Sequence, residues 1–539
     1  MSAAAVRNHI TLGRAATVAG SVAISAFALW SRTTGLSQSL WKDETRAVAE
    51  VIRHGPGTIL FHDLALDDHV LFNLVAWVLS VVPGDDEIGY RLGAVLPSMA
   101  GLLVLAIGLR RRLGAVTAAV ATILLVASPV HIDLSKQARG YGLAFLAMSL
   151  LVVAAIDLAG SPDAREPAAA PTRAALRTFT AAGVIGCLGF VFFAVPFIIT
   201  ALALVAGRTI DFTRRIAARV AVVAVTTAVV YARGIDQLAR SAGDFRDHRS
   251  LPRATPSLIV AGPRIFFLPT FDAASNSVGI VPSEFTRVAL YGLLVPSMVL
   301  GCFAVARVQQ RPRAACVLAL GVVGTPAVMV LARLAIAERY WAWSMIPMSV
   351  LAGVGVQQAF GFVGGLGPRR LRGMIAALTA VITVAVIGAV TLGTTRATRH
   401  NAHVPLEDFK HAGALMDDFE SRYGPVGLLV ATDNAAGLDY YVRAPDVLIG
   451  RRRFDGEREL DTVPRRHAGK LACDPATSVA FVLFNDDDEQ VDLDCVASRG
   501  GTVIEFAQHD RGGRMIVALV AAGGPARARA AVVSPRFRG

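Results

Sequence analysis

The chain has 539 residues, 54% of them hydrophobic and only 17% charged, with a mean hydropathy of +0.53. Soluble domains carry roughly 25% charged residues. The apolar runs here repeatedly reach the ~20 residues that cross a ~30 Å hydrocarbon layer. That excludes a soluble globular class and predicts a polytopic α-helical membrane protein. The net charge of +12 does not argue for nucleic acid, because the arginines gather in short clusters between apolar runs, where membrane topology accounts for them.

Arg7 and Arg14 precede the first apolar run, Ala15 to Trp30, which places the N-terminus in the cytoplasm. No small-residue cleavage pattern accompanies this run, so it reads as an anchor. Residues 31–90 follow as a long external loop. Near its start stands Leu40-Trp41-Lys42-Asp43-Glu44-Thr45-Arg46, and further on His62-Asp63 and Asp67-Asp68-His69. Val70 to Val82 is apolar but too short to cross comfortably, and is expected in the interface.

Span 2, Leu92 to Leu109, ends in Arg110-Arg111-Arg112. Span 3, Ala115 to Val130, leads to a polar stretch from His131 to Tyr141, and span 4 runs from Gly142 to Leu158. Residues 178–206 are apolar for longer than one span needs and contain Pro196, which predicts a tight pair of spans. Later spans climb to Tyr231, descend to Arg307, Arg311 and Arg313, return to Glu338-Arg339-Tyr340-Trp341, descend to Arg369, Arg370 and Arg372, and emerge near Leu392. The arginine clusters near 110, 208–219, 307–313 and 369–372 all fall on one side, as the positive-inside rule requires. About eleven spans result by this reading, and an odd number puts the C-terminal part outside. The domain reading is therefore a transmembrane unit over 1–398, a small extracytoplasmic α/β domain over 399–523, and a disordered Arg/Ala/Pro-rich tail over 524–539. In the small domain, a helix is expected over Leu406 to Phe419. Strands are expected at Val426 to Ala431, Val479 to Phe484, Thr502 to Phe506 and Met515 to Val520.

Cys187, Cys302 and Cys316 lie in apolar runs and read as packing residues. Cys473 and Cys495 can form one disulfide if their domain lies outside the cytoplasm. No P-loop, G-x-S-x-G, H-E-x-x-H or paired C-x-x-C occurs, so ATP-driven pumping and serine or zinc hydrolysis find no support. Asp486-Asp487-Asp488 follows a strand and reads as a solvated turn.

Two adjacent carboxylates beside a membrane repel each other and cost desolvation. Asp43-Glu44 suits a general base or a metal ligand, against the simpler reading of helix-start acids complementing the dipole. Asp68 and His69 suit a second acid, a metal ligand or an acceptor for sugar hydroxyls. Lys136-Gln137-Ala138-Arg139-Gly140-Tyr141 puts cations at the outer start of a helix, against both the positive-inside rule and the helix dipole. A phosphate gripped by an arginine fork would justify them, and snorkelling to lipid headgroups is the alternative. Arg339 and Tyr340 are candidates to line the same site, whereas Trp341 and Trp343 read as belt anchors.

Taken together these pieces resemble the membrane-embedded GT-C glycosyltransferases, in particular the bacterial family-39-like branch, which includes protein mannosyltransferases and the aminoarabinose transferase of lipid A. Trp41-Lys42-Asp43-Glu44 is similar to the family's W-x-D-E start. Asp68-His69 before an interfacial helix and Tyr90-Arg91-Leu92 with Pro97-Ser98 are similar to its H-P-P-L and R-L-P-S segments, although Val70-Leu71 stands where the family has prolines. Gln137-Ala138-Arg139-Gly140-Tyr141 resembles Q-x-A-R-x-Y, and Arg339-Tyr340 the late R-Y.

The resemblance implies a GT-C type fold and Asp43 as catalytic residue. It implies substrate binding by Glu44, Asp68, His69, Lys136, Gln137, Arg139, Tyr141, Arg339 and Tyr340, and a polyprenyl-phosphate sugar donor. The acceptor would be a hydroxyl of a cell-envelope glycan, glycolipid or protein at the outer face of the cytoplasmic membrane, reached with inversion. A lipid-phosphate leaving group is compatible with transfer without a cofactor. Related branches use a divalent metal, and both alternatives stand. The competing reading is a lipid-linked-sugar flippase, which predicts ionisable residues at mid-span depth.

Overall fold

The computed structural model describes residues 3–40, 42–61, 69–82, 86–160, 170–234, 284–332 and 338–365. Beyond these it describes positions 388, 391, 395, 410 and 414 and the strand segments named below. Helix α1 spans Ala3–Thr33. The segment after it holds α2 (Lys42–Arg46), one π turn (Ala47–Val51), a 3-10 turn (Ile52–His54), α3 (Pro56–Phe61) and α4 (Val70–Leu79). Gly55, at φ 86°, ends the 3-10 turn in a backbone region that favours glycine. Helix α4 buries Val70, Phe72, Asn73 and Ala76 and exposes Trp77 and Val78, as expected of an interfacial helix.

Helix α5 (Asp86–Arg112) begins about two turns before the expected span, with Asp86 and Glu87 in its first turn complementing the helix dipole. Helix α6 (Ala115–Ala127) takes most of the expected span 3, and α7 (Pro129–Lys136) carries on past its expected end, bent from α6 by 65°. The cause is local. Pro129 has no N–H to give to Leu125 O four residues back, so the helix breaks there. Pro129 then opens the next helix, where proline is favoured, and Ser128 Oγ caps it by accepting from His131 N–H at 3.4 Å. The first part of the expected polar stretch, His131 to Lys136, is therefore helical.

Arg32, fully buried near the end of α1, supplies what the proline removes. Its Nη2 donates to Leu125 O at 3.4 Å and lies 2.9 Å from His131 Nδ1, while Nη1 donates to Ala28 O at 3.2 Å. Both carbonyls lie near the negative ends of helices, which explains a buried cation that meets no carboxylate among the described residues.

Helix α8 (Tyr141–Gly160) packs on α5 so closely that a Cβ on Gly142 would lie 2.0 Å from Ala94 O. Only glycine permits this contact. The apolar run over 178–206 divides into α9 (Ala170–Gly189) and α10 (Ala194–Val205), separated by an extended Phe190 and a 3-10 turn (Val191–Phe193). Pro196 sits in the first turn of α10, where it costs no hydrogen bond. Helices α11 (Ile210–Tyr231), α12 (Glu284–Phe303), α13 (Pro312–Leu331) and α14 (Met345–Gly365) follow.

Among the described residues, four helical stretches are long and apolar enough to cross a membrane: Asp86–Arg112, Tyr141–Gly160, Pro312–Leu331 and Trp341–Phe362. The bent pair α6–α7 makes a fifth. The emergence near Leu392 lies outside the described residues.

The arginine-rich ends meet. Arg112 forms a bidentate pair with Asp157 (2.6 and 2.5 Å), Arg208 Nη2 caps α8 through Leu158 O and Ala159 O (3.0 Å each), and Arg313 Nη2 reaches Gly207 O at 3.0 Å. Arg91 and Arg112 lie on the same helix, about 30 Å apart at 1.5 Å per residue. One membrane thickness therefore separates the arginine-rich face from the end that carries the candidate site.

In the C-terminal part, β1 (Gly427–Val430), β4 (Val479–Asp486), β6 (Arg514–Ala521) and β5 (Thr502–Phe506) form a sheet in that order, with β1 and β4 parallel and the other pairs antiparallel. All four coincide with expected strands. A short pairing of β2 (Leu448–Ile449) with β3 (Arg452–Arg453) was not anticipated. Cys473, Cys495 and the tail over 524–539 lie outside the described residues, as does the 406–419 helix except for Lys410 and Ala414, both helical.

Candidate active site

Asp43 and Glu44 occupy the first turn of α2, where the helix dipole favours carboxylates. Consecutive helical residues point about 100° apart, and the two acids have separate environments. Glu44 is turned inward and is 0% exposed. Arg91, in α5, holds it through Nε to Oε1 (3.4 Å) and Nη2 to Oε2 (2.8 Å), and the Ala138 N–H donates to Oε1 at 2.5 Å. Arg91 Nη1 also donates to Leu36 O (2.9 Å) and Gln38 O (2.8 Å), and Nη2 to Ser39 O (2.9 Å). Every N–H of the guanidinium is thereby used, a pattern a lysine cannot reproduce. The pair fastens four segments together: the turn after α1, α2 itself, the start of α5 and the 137–140 loop.

Asp43 is 24% exposed and pairs with Arg139 Nη1, whose side chain is 3% exposed. The burial of Arg139 sets aside the snorkelling alternative. Arg139 Nε also donates to His69 Nε2 at 3.3 Å. With that nitrogen accepting, a neutral His69 carries its proton on Nδ1, an assignment made from the hydrogen bonds. His69 stacks on Phe190 (4.8 Å between centroids, 24°), and Phe190 in turn meets Tyr141 (5.2 Å) and the edge of Trp343 (5.4 Å). Trp341 and Trp343 are each 1% exposed, so both are core residues and not belt anchors. Helix packing around the break at Phe190 encloses them.

Gly140 is a close-approach position. A Cβ there would lie 1.8 Å from Gly189 O and 3.0 Å from His69 Cγ, so the loop presents Arg139 to Asp43 only if residue 140 has no side chain.

Of the sequence-predicted residues, Asp43, His69 and Arg139 are in direct contact, and Tyr141 joins them through Phe190. Glu44 is engaged by Arg91 and the loop. Lys136 ends α7, buried, with Nζ 3.4 Å from Thr34 O. Gln137 is half-buried next to it. Arg339 and Tyr340 belong to a 3-10 segment, Glu338–Ser344, tied to the site through Trp343 and Phe190. Trp41 and Asp68 lie outside the described residues. Among the described residues no three His, Cys, Asp or Glu side chains gather as a metal site. Arg91 and Phe190 were not among the predicted site residues. Arg91 carried a signal, a cation at the outer start of a span, whereas Phe190 is one apolar residue among many.

With this geometry in hand, the fold can be set beside those of solved proteins. The chain is similar in structure to ArnT, an aminoarabinose transferase, from Cupriavidus metallidurans in the apo state (TM-score 0.57, 18% identity, covering 93% of this chain and 98% of that one). The same ArnT bound to undecaprenyl phosphate matches at TM-score 0.53 and 18% identity, over 92% and 97% of the two chains. The archaeal oligosaccharyltransferase AglB from Archaeoglobus fulgidus, in complex with an inhibitory peptide and a dolichol-phosphate, matches at TM-score 0.52 and 11% identity, over 86% and 69%. No family model matches the chain, and no curated protein matches it.

Proposed function

We propose that this protein is a membrane glycosyltransferase that moves one hexose or pentose from a polyprenyl-monophosphate donor to a hydroxyl acceptor in the cell envelope. The observation that carries this reading is the contact between Asp43 and the buried Arg139, 96 residues apart in sequence. One suits a general base and the other a phosphate ligand. In the free protein each neutralises the other. A lipid phosphate arriving at the site competes for the guanidinium, since arginine binds phosphate as readily as carboxylate. The Asp43 carboxylate is then free to take the proton of the acceptor hydroxyl. The acceptor oxygen bonds to the anomeric carbon, the carbon–oxygen bond to phosphate breaks, and the phosphate leaves with the electron pair beside Arg139. A single displacement of this kind inverts the anomeric centre.

His69, stacked on Phe190 and bonded to Arg139 Nε, orients the guanidinium. Glu44 serves in this reading as the brace that fixes α2, with Arg91, and not as a sugar ligand. Asp68, Lys136, Gln137, Tyr141, Arg339 and Tyr340 complete the proposed binding surface. Binding of undecaprenyl phosphate by ArnT and of a dolichol-phosphate by AglB supports a lipid-phosphate donor. The proposed topology has eleven spans in the cytoplasmic membrane, the arginine-rich face inside, and both the site and the 399–523 domain outside.

The test is transfer by purified protein in detergent, using a panel of polyprenyl-phosphate sugars with short acceptors. Transfer of radiolabelled sugar from at least one donor supports the reading. Movement of donor across liposomes with no transfer from any donor replaces it with a flippase.

A further inference from the structure

The segment that leads into Asp43 is held from two directions. Arg91 takes the carbonyls of Leu36, Gln38 and Ser39 from within the helical body. Lys410, far along the chain, takes the same segment from the other side. Its backbone N–H donates to Ser39 Oγ at 3.2 Å, and its Nζ lies 3.5 Å from Ser37 O and 3.1 Å from Glu87 Oε1. Glu87 is 5% exposed and Lys410 45%. Glu87 stands one turn before Arg91 on α5, so the two clamps share a helix face.

An ion pair with one exposed partner would by itself carry little weight. Here it comes with a main-chain donor, which fixes the backbone at 410 as well as a flexible side chain. All three bonds fall on Ser37, Ser39 and Glu87. Lys410 is also one of only four lysines in a chain rich in arginine.

We infer that Lys410 latches the beginning of the C-terminal part of the chain onto the 37–39 segment, and thereby acts as a positioning residue for Asp43. The role in positioning rests on the proposed glycosyl transfer, but the docking does not. The latch also places residue 410 on the same membrane face as Asp43 without any counting of spans. Loosening it lets α2 shift relative to Arg139. The base then loses alignment, while the grip on the lipid phosphate through Arg139 and His69 persists.

Two measurements on the full-length protein test this. Kinetics of Lys410→Met, Glu87→Gln, the double variant and Lys410→Arg come first. Each of the first two is expected to lower kcat about tenfold, in line with small misplacements of reacting groups, while the donor KM changes less than about twofold by the same argument. The double variant should be no worse than either single one, and Lys410→Arg should recover most of the rate. The second measurement introduces cysteines at 39 and 410, where the 3.2 Å bond from the Lys410 N–H to Ser39 Oγ brings the two backbones within disulfide reach, in a background without the native cysteines, and oxidises membranes, with the cross-link read on a gel. A cross-link together with the kcat loss supports the latch. Absence of the cross-link overturns the docking, and unchanged kcat in Lys410→Met overturns the positioning role. If the wild type transfers no sugar, the positioning role falls with the transferase reading, and the cross-link alone decides the docking.

Discussion

The two ends of α5 both carry arginine–carboxylate pairs, and they do different things. At one end Arg112 and Asp157 are 24% and 35% exposed, and the neighbouring arginine, Arg208, sits on helix-terminal carbonyls. Charge there follows from helix dipoles and membrane topology alone. At the other end, Arg91 and Glu44 are both withdrawn from solvent, and Arg139 is buried against an Asp43 that stays 24% exposed, with Arg91 and Arg139 joining segments 47 and 96 residues apart. Burying ions is expensive, and although the dipole of α2 favours the two carboxylates, it does not call for the arginines that meet them. The contrast separates charge that places the protein in the bilayer from charge that builds a site.

Within the site the same contrast recurs between neighbours. Glu44 is fully enclosed and braced, whereas Asp43 keeps some exposure and faces Arg139. The largest expected effect is therefore on chemistry: Asp43→Asn should lower the transfer rate about 10³-fold, as loss of a general base does, with a fall in melting temperature smaller than that of Glu44→Gln, because Asp43 keeps 24% exposure and its pair with Arg139 is less fully enclosed. Next, Gly140→Ala should lower transfer about 10²-fold by displacing the loop that presents Arg139, and Gly140→Ser should be at least as damaging. Glu44→Gln should act on stability, costing about 3–5 kcal/mol because it leaves Arg91 buried without its anion. Thermal unfolding in detergent reads this, and unchanged unfolding would erase the distinction between the two acids. Arg32→Leu should cost about 1–3 kcal/mol, since Leu125 O loses its side-chain donor where Pro129 gives none. At the opposite end, Arg112→Ala should cost no more than about 1 kcal/mol, as for other half-exposed pairs, and leave transfer unaltered.

Much of this was legible in the sequence, for stated reasons. Apolar length and arginine clusters locate the helices that match expected spans. An acidic pair and an Arg-Gly-Tyr segment at outer helix ends marked Asp43 and Arg139 as charges in need of an explanation. What stayed hidden depended on tertiary contact. That Glu44 belongs to Arg91 is fixed by packing across 47 residues, and no local pattern announces it. The polar stretch His131-Ile-Asp-Leu-Ser-Lys136 stood beyond the expected end of span 3 because its side chains are polar. They are buried in a helix because Ser128 and Pro129 restart it and Arg32 supports the break. Trp341 and Trp343 looked like interfacial anchors because tryptophan commonly is, and only the fold shows Phe190 and Phe193 covering Trp343.

The central claim is that Asp43 and Arg139 divide base and phosphate grip between them. Donor binding and transfer measured side by side for Asp43→Asn and Arg139→Gln test it most directly. The account predicts that Asp43→Asn binds polyprenyl-phosphate sugar at least as tightly as wild type, because Arg139 is released, yet transfers almost none. Arg139→Gln should lose binding. Weakened donor binding in Asp43→Asn with transfer retained at saturating donor would contradict it.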